Sequence, residues 1–257
     1  MAIITPTNKE VLNFQGLHLY HSGVSNCSMR VRMTLDEKRL PWTSHHLNIL
    51  KKEHVTPEYF GINPNGLVPT LVHDGKVIIE SDDIIDYLDK EFPNPALRPV
   101  NVQCLDTMYK WLHRATEIHL PAVKPYIYFK RVGASMALSE EEDKKYESLQ
   151  SNPDLKAFHQ KSTNEGFSKE DIESAVHILD ECFSDMNSLL GSSSWLAGDE
   201  FSLADIAWAP LHFTLDKMAG YDFEPYKEVS DWMRRLRERD SYRTAIIDYW
   251  PAEMGGT

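Results

Sequence analysis

Apolar and polar positions alternate through LHLYHSG (17–23), the two-residue period of a short strand that stops at a glycine. The run after it, SNCSMRVRMTLDEKRL (25–40), sets Met29, Val31, Met33 and Leu35 among arginines and reads as a turn followed by a helix. WTSHHLNI (42–49) is a second strand candidate and PEYFGINP (57–64) a short helix or turn. LVPTLVHD and KVIIES are two short strands split by the turn pair Asp74–Gly75. Ser81 caps the helix DDIIDYLDKEF, with Asp82 and Asp83 in the first turn, where the helix dipole favours anions. The order of elements is βαβ, then ββα.

FPNPALRPVN (92–101) places three prolines between helical patterns and reads as a linker. Everything beyond it has helical periodicity. A long helix runs through LDTMYKWLHRATEIHLPAV with a kink at Pro121, and Ser139…Glu142 is a capping pattern opening the next. KEDIESAVHILDECFSDMNSLL is cleanly amphipathic, whereas FSLADIAWAPLHFTL is apolar almost all round, begins with Ser202 three residues before Asp205, and belongs at a domain centre. These patterns divide the chain into an N-terminal surface extension over 1–15, an α/β domain over 16–92, a linker over 93–101 and an all-helical domain over 102–257. Within the last, 133–169 is weakly apolar and reads as an inserted, partly mobile segment.

Composition narrows the partners. A length of 257 residues suits two domains, and a net charge of −12 argues against nucleic acid or an anionic membrane as a partner, while leaving room for a few cations in a cleft. Cys27, Cys104 and Cys182 form no CxxC pair, so neither a disulfide framework nor a structural zinc site is expected and a reducing cytoplasm fits. The start has no signal-peptide profile, and no window reaches the ~18 apolar residues of a membrane span. His45 and His46 point to opposite faces of a strand and His113 and His119 are six apart on a helix, so no metal is implied.

Pro69 poses a question, because proline cannot donate to a β ladder. Placed just before a strand, it is a fixed bend that leaves neighbouring backbone groups free to pair with a peptide-like ligand.

The βαβ-ββα unit, the linker and the helical half together resemble the glutathione transferase superfamily, from about residue 16 to about 250. The specific parts are SNCSMRVRMTL, similar to the zeta-class Ser-Ser-Cys-Ser signature with Asn26 in the second place; NPNGLVPTL; Glu80-Ser81 before a helix; and FSLADI. The resemblance implies a thioredoxin-like α/β N-terminal domain and an all-α helical-bundle C-terminal domain. It implies a cis Pro69, with Val68 presenting its backbone to the cysteinyl unit of glutathione, and a homodimer.

The same resemblance implies the site. Glutathione's thiol has an unperturbed pKa of about 8.5, and a hydroxyl donor beside a helix N-terminus favours its thiolate. Ser25 ranks first for that role, Cys27 second and Ser28 third, with plain helix capping as the alternative for Ser25. Tyr20 offers a phenol but stands early. Glu80 takes the γ-glutamyl ammonium and Ser81 its carboxylate; His54, or Lys51 and Lys52 nearby, takes the glycine carboxylate. Tyr109 and His113 line the second-substrate pocket, whose few charges favour an aromatic electrophile over a dicarboxylate, with 133–169 as its movable cover. Overall length and the inserted segment are similar to bacterial β-aryl etherases, while the signature is that of maleylacetoacetate isomerase. A non-catalytic scaffold that keeps the fold is the reading from another class.

Overall fold

The computed structural model describes residues 2–132 and 139–254. Five strands form one sheet: β1 (Ala2–Ile4), β2 (Leu17–His21), β3 (Thr43–His46), β4 (Thr70–His73) and β5 (Lys76–Ile79), in the spatial order β1-β5-β4-β2-β3. Only β2 and β3 run parallel, joined through helix α1 (Asn26–Glu37); the other pairs are antiparallel. Asp74 and Gly75 take φ of 48° and 78°, the twist-matched two-residue hairpin, which sets β4 and β5 in register. Helices α2 (Pro57–Phe60) and α3 (Ser81–Glu91) complete this half.

Two expectations change here. The stretch 1–15 is not merely a surface extension: Ala2–Ile4 add an edge strand along β5, and Val11 is buried against the sheet. A three-residue strand is too short to display alternation, so no pattern marks it. Ser81 is the first helical residue and not the cap; Glu80 holds the N-cap position without a side-chain capping bond, and the Ser81 hydroxyl accepts from Arg30 Nη1 at 3.1 Å.

The helical half comprises α4 (Val102–Glu117), α5 (Lys124–Ile127), α6 (Glu140–Leu149), α7 (Pro153–Gln160), α8 (Lys169–Leu190), α9 (Leu203–Ala219), α10 (Lys227–Arg237) and α11 (Asp240–Tyr242). Both capping boxes read from sequence, Ser139/Glu142 and Ser202/Asp205, are formed. Pro121 sits in a π-helical turn, His119–Val123, which joins α4 to α5. Of the segment 133–169, residues 133–138 lie outside the described residues. The rest is not loose: Ser139 and Asn152 cap α6 and α7, Gln150 is buried and donates to Asn65 O at 2.9 Å, and Lys52 pairs with Glu142 at 3.2 Å. Good caps supply the start signals that low apolar content hides.

The core runs through both halves. α9 is buried almost all round, and α1 packs on it with Met29 to Leu35 fully enclosed. Two of the enclosed residues are arginines. Arg30 donates to Ala207 O, Ala115 O, Ser81 Oγ and Thr116 Oγ1; Arg32 donates to Ala245 O, Ser22 O and Gly23 O and meets His21 Nδ1. Buried guanidinium is tolerable because nearly every N–H finds an acceptor. The linker is pinned by Lys38, which pairs with Asp89 at 2.6 Å and donates to Phe92 O and Pro95 O. Among the described residues no helix is long and apolar enough to cross a membrane.

Candidate active site

A cleft of about 380 Å³ opens where the start of α1, the end of the loop before β4, the start of α3 and the π-turn of the helical half meet. Ser25 is the N-cap of α1: its φ of −82° and ψ of 114° are extended, and its Oγ accepts from Ser28 N at 3.2 Å. That bond uses an acceptor lone pair and leaves the hydroxyl proton free, so capping and donation into the cleft are compatible. Cys27, half-buried on the first turn, faces the cleft with Sγ 3.9 Å from His119 Nε2, and the same Nε2 is 2.9 Å from Asn26 Oδ1. Ser28 is excluded from the cleft: it is fully buried and its Oγ accepts from Ser22 N at 3.3 Å.

The Val68–Pro69 peptide is cis, and Pro69 directly precedes β4. Tyr59 Oη and Asn63 Nδ2 both donate to Leu67 O, at 2.6 and 2.8 Å, holding the bend from behind. Among the described residues, the Val68 N–H and C=O have no hydrogen-bond partner, and Val68 lines the cleft. Glu80 has φ 64° and ψ 120°, a backbone that a non-glycine residue adopts at a cost of roughly 1–3 kcal/mol. It stands open to the cleft, with Oε1 accepting from Asn65 Nδ2 at 3.3 Å. The cleft walls strip part of its hydration and, with Asp82, raise its pKa above the ordinary carboxylate range.

His54 lines the cleft, its Nδ1 buried and unpartnered among the described residues. Burial and the nearby Lys124 pull its pKa down to about 4, so at neutral pH it offers an N–H donor and no charge. Lys51 and Lys52 line a smaller adjoining cavity of about 260 Å³, beneath α6 and α7. Tyr20 is stacked on His45 at 4.4 Å, on the sheet and away from the cleft.

Tyr109 and His113 do not line the cleft. Tyr109 Oη donates to Asp86 Oδ1 at 2.8 Å, and His113 lies exposed, 3.8 Å from Asp82 Oδ2. On the same helix face, further along the chain, Thr116 and Leu120 are the residues that reach the cleft. Beyond them the π-turn brings His119 and Lys124, five apart, to the same wall. His119, enclosed between Lys124 and Arg30, is held well below the ordinary imidazole range by burial first and by those charges second. Sequence reading missed Asn26, Arg30, His119 and Lys124. The prolines at 121 and 125, inside a helical run, are the signal that the register changes there.

Comparison with known proteins gives the family. The chain matches the family model for the glutathione S-transferase N-terminal domain over residues 19–96 and that for the C-terminal domain over 155–240. It is 30% identical to glutathione S-transferase 1 of Dianthus caryophyllus over 198 residues, 76% of each chain. It is 25% identical to FtsZ-localized protein A of Caulobacter vibrioides (strain NA1000 / CB15N), over 91% of this chain and 92% of that one. Among solved structures, the β-etherase LigF from Sphingobium sp. strain SYK-6 superposes with a TM-score of 0.80 at 23% identity, covering 90% of this chain and 98% of that one, a likeness of fold. With both halves matched in order and a relative at 30% identity across three quarters of its length, the chain belongs to the glutathione S-transferase family.

Proposed function

We propose that the chain activates the thiol of glutathione for attack on an electrophile with an apolar, aromatic body, working in the cytoplasm as a homodimer. The observation that carries the reading is the convergence on one cleft of the cis Val68–Pro69 bend with its unpaired backbone groups, the strained Glu80, and Ser25 at a helix N-terminus. Val68 pairs with the cysteinyl backbone as a neighbouring strand would. Glu80 takes the γ-glutamyl ammonium, while the first N–H groups of α3 and the Ser81 hydroxyl take its carboxylate. The Ser25 hydroxyl donates to the sulfur, and with the positive end of α1 it favours thiolate at neutral pH. Sulfur then forms a bond to the electrophilic carbon as the leaving group departs with its electron pair and takes up a proton. Val24, Leu120, Val123 and Ile127 supply the apolar wall that orients the second substrate. A β-aryl ether, releasing a phenol, is one electrophile of this kind.

Two other readings have support. The run Ser25-Asn26-Cys27-Ser28 favours a maleylacetoacetate isomerase, and a non-catalytic scaffold is the reading from another class, FtsZ-localized protein A being a relative named for where it localises and not for a reaction. Thermal shift separates the classes first: glutathione at 100 times its dissociation constant stabilises a binder by about 2.7 kcal/mol, and a flat response favours the scaffold. A panel of a β-aryl ether, maleylacetone, a halonitrobenzene and an organic hydroperoxide then separates the reactions; turnover of maleylacetone alone assigns the isomerase. Light scattering at about twice 29.6 kDa is expected for the dimer, and the monomer mass overturns it.

A further inference from the structure

Lys124 interrupts the apolar wall between Val123 and Ile127 and lines both the cleft and the smaller cavity. Among the described residues its ammonium has no ion-pair or hydrogen-bond partner; what it meets is the ring face of Phe158, 5.1 Å from Nζ to the centroid. Lys51 and Lys145, which line the smaller cavity with no ion pair among the described residues, are exposed and do not reach the cleft; the other cations nearby are matched. Arg30 is saturated by two carbonyls and two hydroxyls, and Lys52 is paired with Glu142. The acidic groups whose field reaches Lys124 are Cys27 and Glu80, and burial still outweighs them and lowers its pKa. With glutathione bound as proposed above, Glu80 is matched to the ligand's own ammonium. A half-buried ammonium set in an apolar wall with no anion beside it gains when a ligand brings the anion.

The surroundings say what kind of ligand that is. Leu120, Val123 and Ile127 form the apolar face on one side of Lys124, and Leu155 and Phe158 of α7 close it on the other. We propose that Lys124 anchors a carboxylate on the second substrate, so that this enzyme takes acidic electrophiles whose apolar body lies along the π-turn and whose anionic end points beneath α7. The inference rests on the glutathione reading of the cleft, and it revises the expectation of a pocket with few charges.

The test uses binding of stable thioether conjugates, which carry no thiolate and need no turnover. S-Benzylglutathione is compared by titration calorimetry with S-(3-carboxybenzyl)- and S-(4-carboxybenzyl)glutathione. Wild type binds at least one carboxybenzyl conjugate roughly tenfold more tightly than the benzyl one, Lys124→Met erases the ratio, and Lys124→Arg retains part of it. Lys124→Gln is read in the same way should the methionine variant not fold. Binding of S-benzylglutathione with no preference for a carboxylate overturns the inference and leaves the glutathione reading standing. Failure of every conjugate to bind overturns both. The glycine ethyl ester of S-benzylglutathione covers the other carboxylate: equal weakening of benzyl and carboxybenzyl conjugates in Lys124→Met, absent with the ester, assigns Lys124 to the glycine end and also overturns the inference.

Discussion

Ser25 performs two tasks with one oxygen, and substitutions can part them. Its Oγ accepts from Ser28 N as a cap, while its proton is free for a sulfur in the cleft. Ser25→Ala is expected to lower turnover roughly ten- to a thousandfold with little change in glutathione affinity, because the bond strengthens as thiolate develops, and to cost about 1 kcal/mol of stability through the lost cap. Ser25→Asp keeps an acceptor for the cap and has no proton to give, so stability returns and turnover does not. Denaturation and steady-state kinetics on the same preparations decide; recovery of turnover in the aspartate variant would reduce Ser25 to a cap. Glu80 divides in the same way. Glu80→Gly relieves the positive φ and is expected to raise stability by roughly 1 kcal/mol while weakening glutathione binding, and Glu80→Ala to weaken binding alone. Unchanged affinity in both variants removes the carboxylate from the site. Of these features, Ser25 as cap was legible because serine before an apolar run states its own role. The strain at Glu80 was not, since it is imposed by the turn from β5 into α3 and leaves no local pattern.

Elements announce themselves when their burial is one-sided. α8 is amphipathic and β2 alternates, and each lies within about two residues of where periodicity puts it. α1 is enclosed over Met29 to Leu35, so its apolar residues at 29, 31, 33 and 35 show no helical spacing, and carbonyls from the other half surround its arginines. The π-turn at His119–Val123 is the costliest omission, because it carries one wall of the cleft and brings His119 and Lys124 to it. The helices α6 and α7 were underrated for the opposite reason: they are polar, and what holds them is a few directed contacts. Gln150→Ala removes the bond to Asn65 O and is expected to weaken the docking of residues 139–165 by roughly 1–3 kcal/mol, with little effect on the global transition. Faster amide exchange confined to α6 and α7 is the expected observation; exchange unchanged there, or raised everywhere, rejects local docking.

Across the whole molecule, buried imidazoles contribute to the loss of stability in acid. His21 and His212 are held at pKa values of about 3, by burial and then by Arg32 and Arg237 respectively, and His54 at about 4. Each folded value lies below the unfolded 6.5, so the unfolded chain binds more protons below pH 6.5. The stability these groups contribute is complete above that value and is lost as pH falls toward 3, at up to about 1.4 kcal/mol per pH unit for each histidine. The raised carboxyls of Asp36, Glu80 and Asp205 act with the opposite sign, which makes a variant the cleaner measure than the wild-type curve. His212 is stacked on Phe223 at 3.8 Å with both ring nitrogens unpartnered among the described residues, so His212→Leu should flatten the loss between pH 6.5 and 4.5 in denaturant titrations; an unchanged slope removes His212 from the account. The two buried arginines have a consequence for how such chains recombine. The linker looks like the natural crossover point for half-swaps between relatives, yet a first half carrying Arg30 and Arg32 demands carbonyls at the places of Ala115, Ala207 and Ala245. Ala115 lies in the last turn of α4 and Ala245 in a π-turn, where a helix leaves carbonyls to spare, and a foreign bundle without those irregularities would strand two guanidiniums in its interior. Chimeras that exchange α1 together with α9 and residues 240–247 should therefore survive more often than those cut at the linker, so the unit of inheritance is the α1 socket and not the domain.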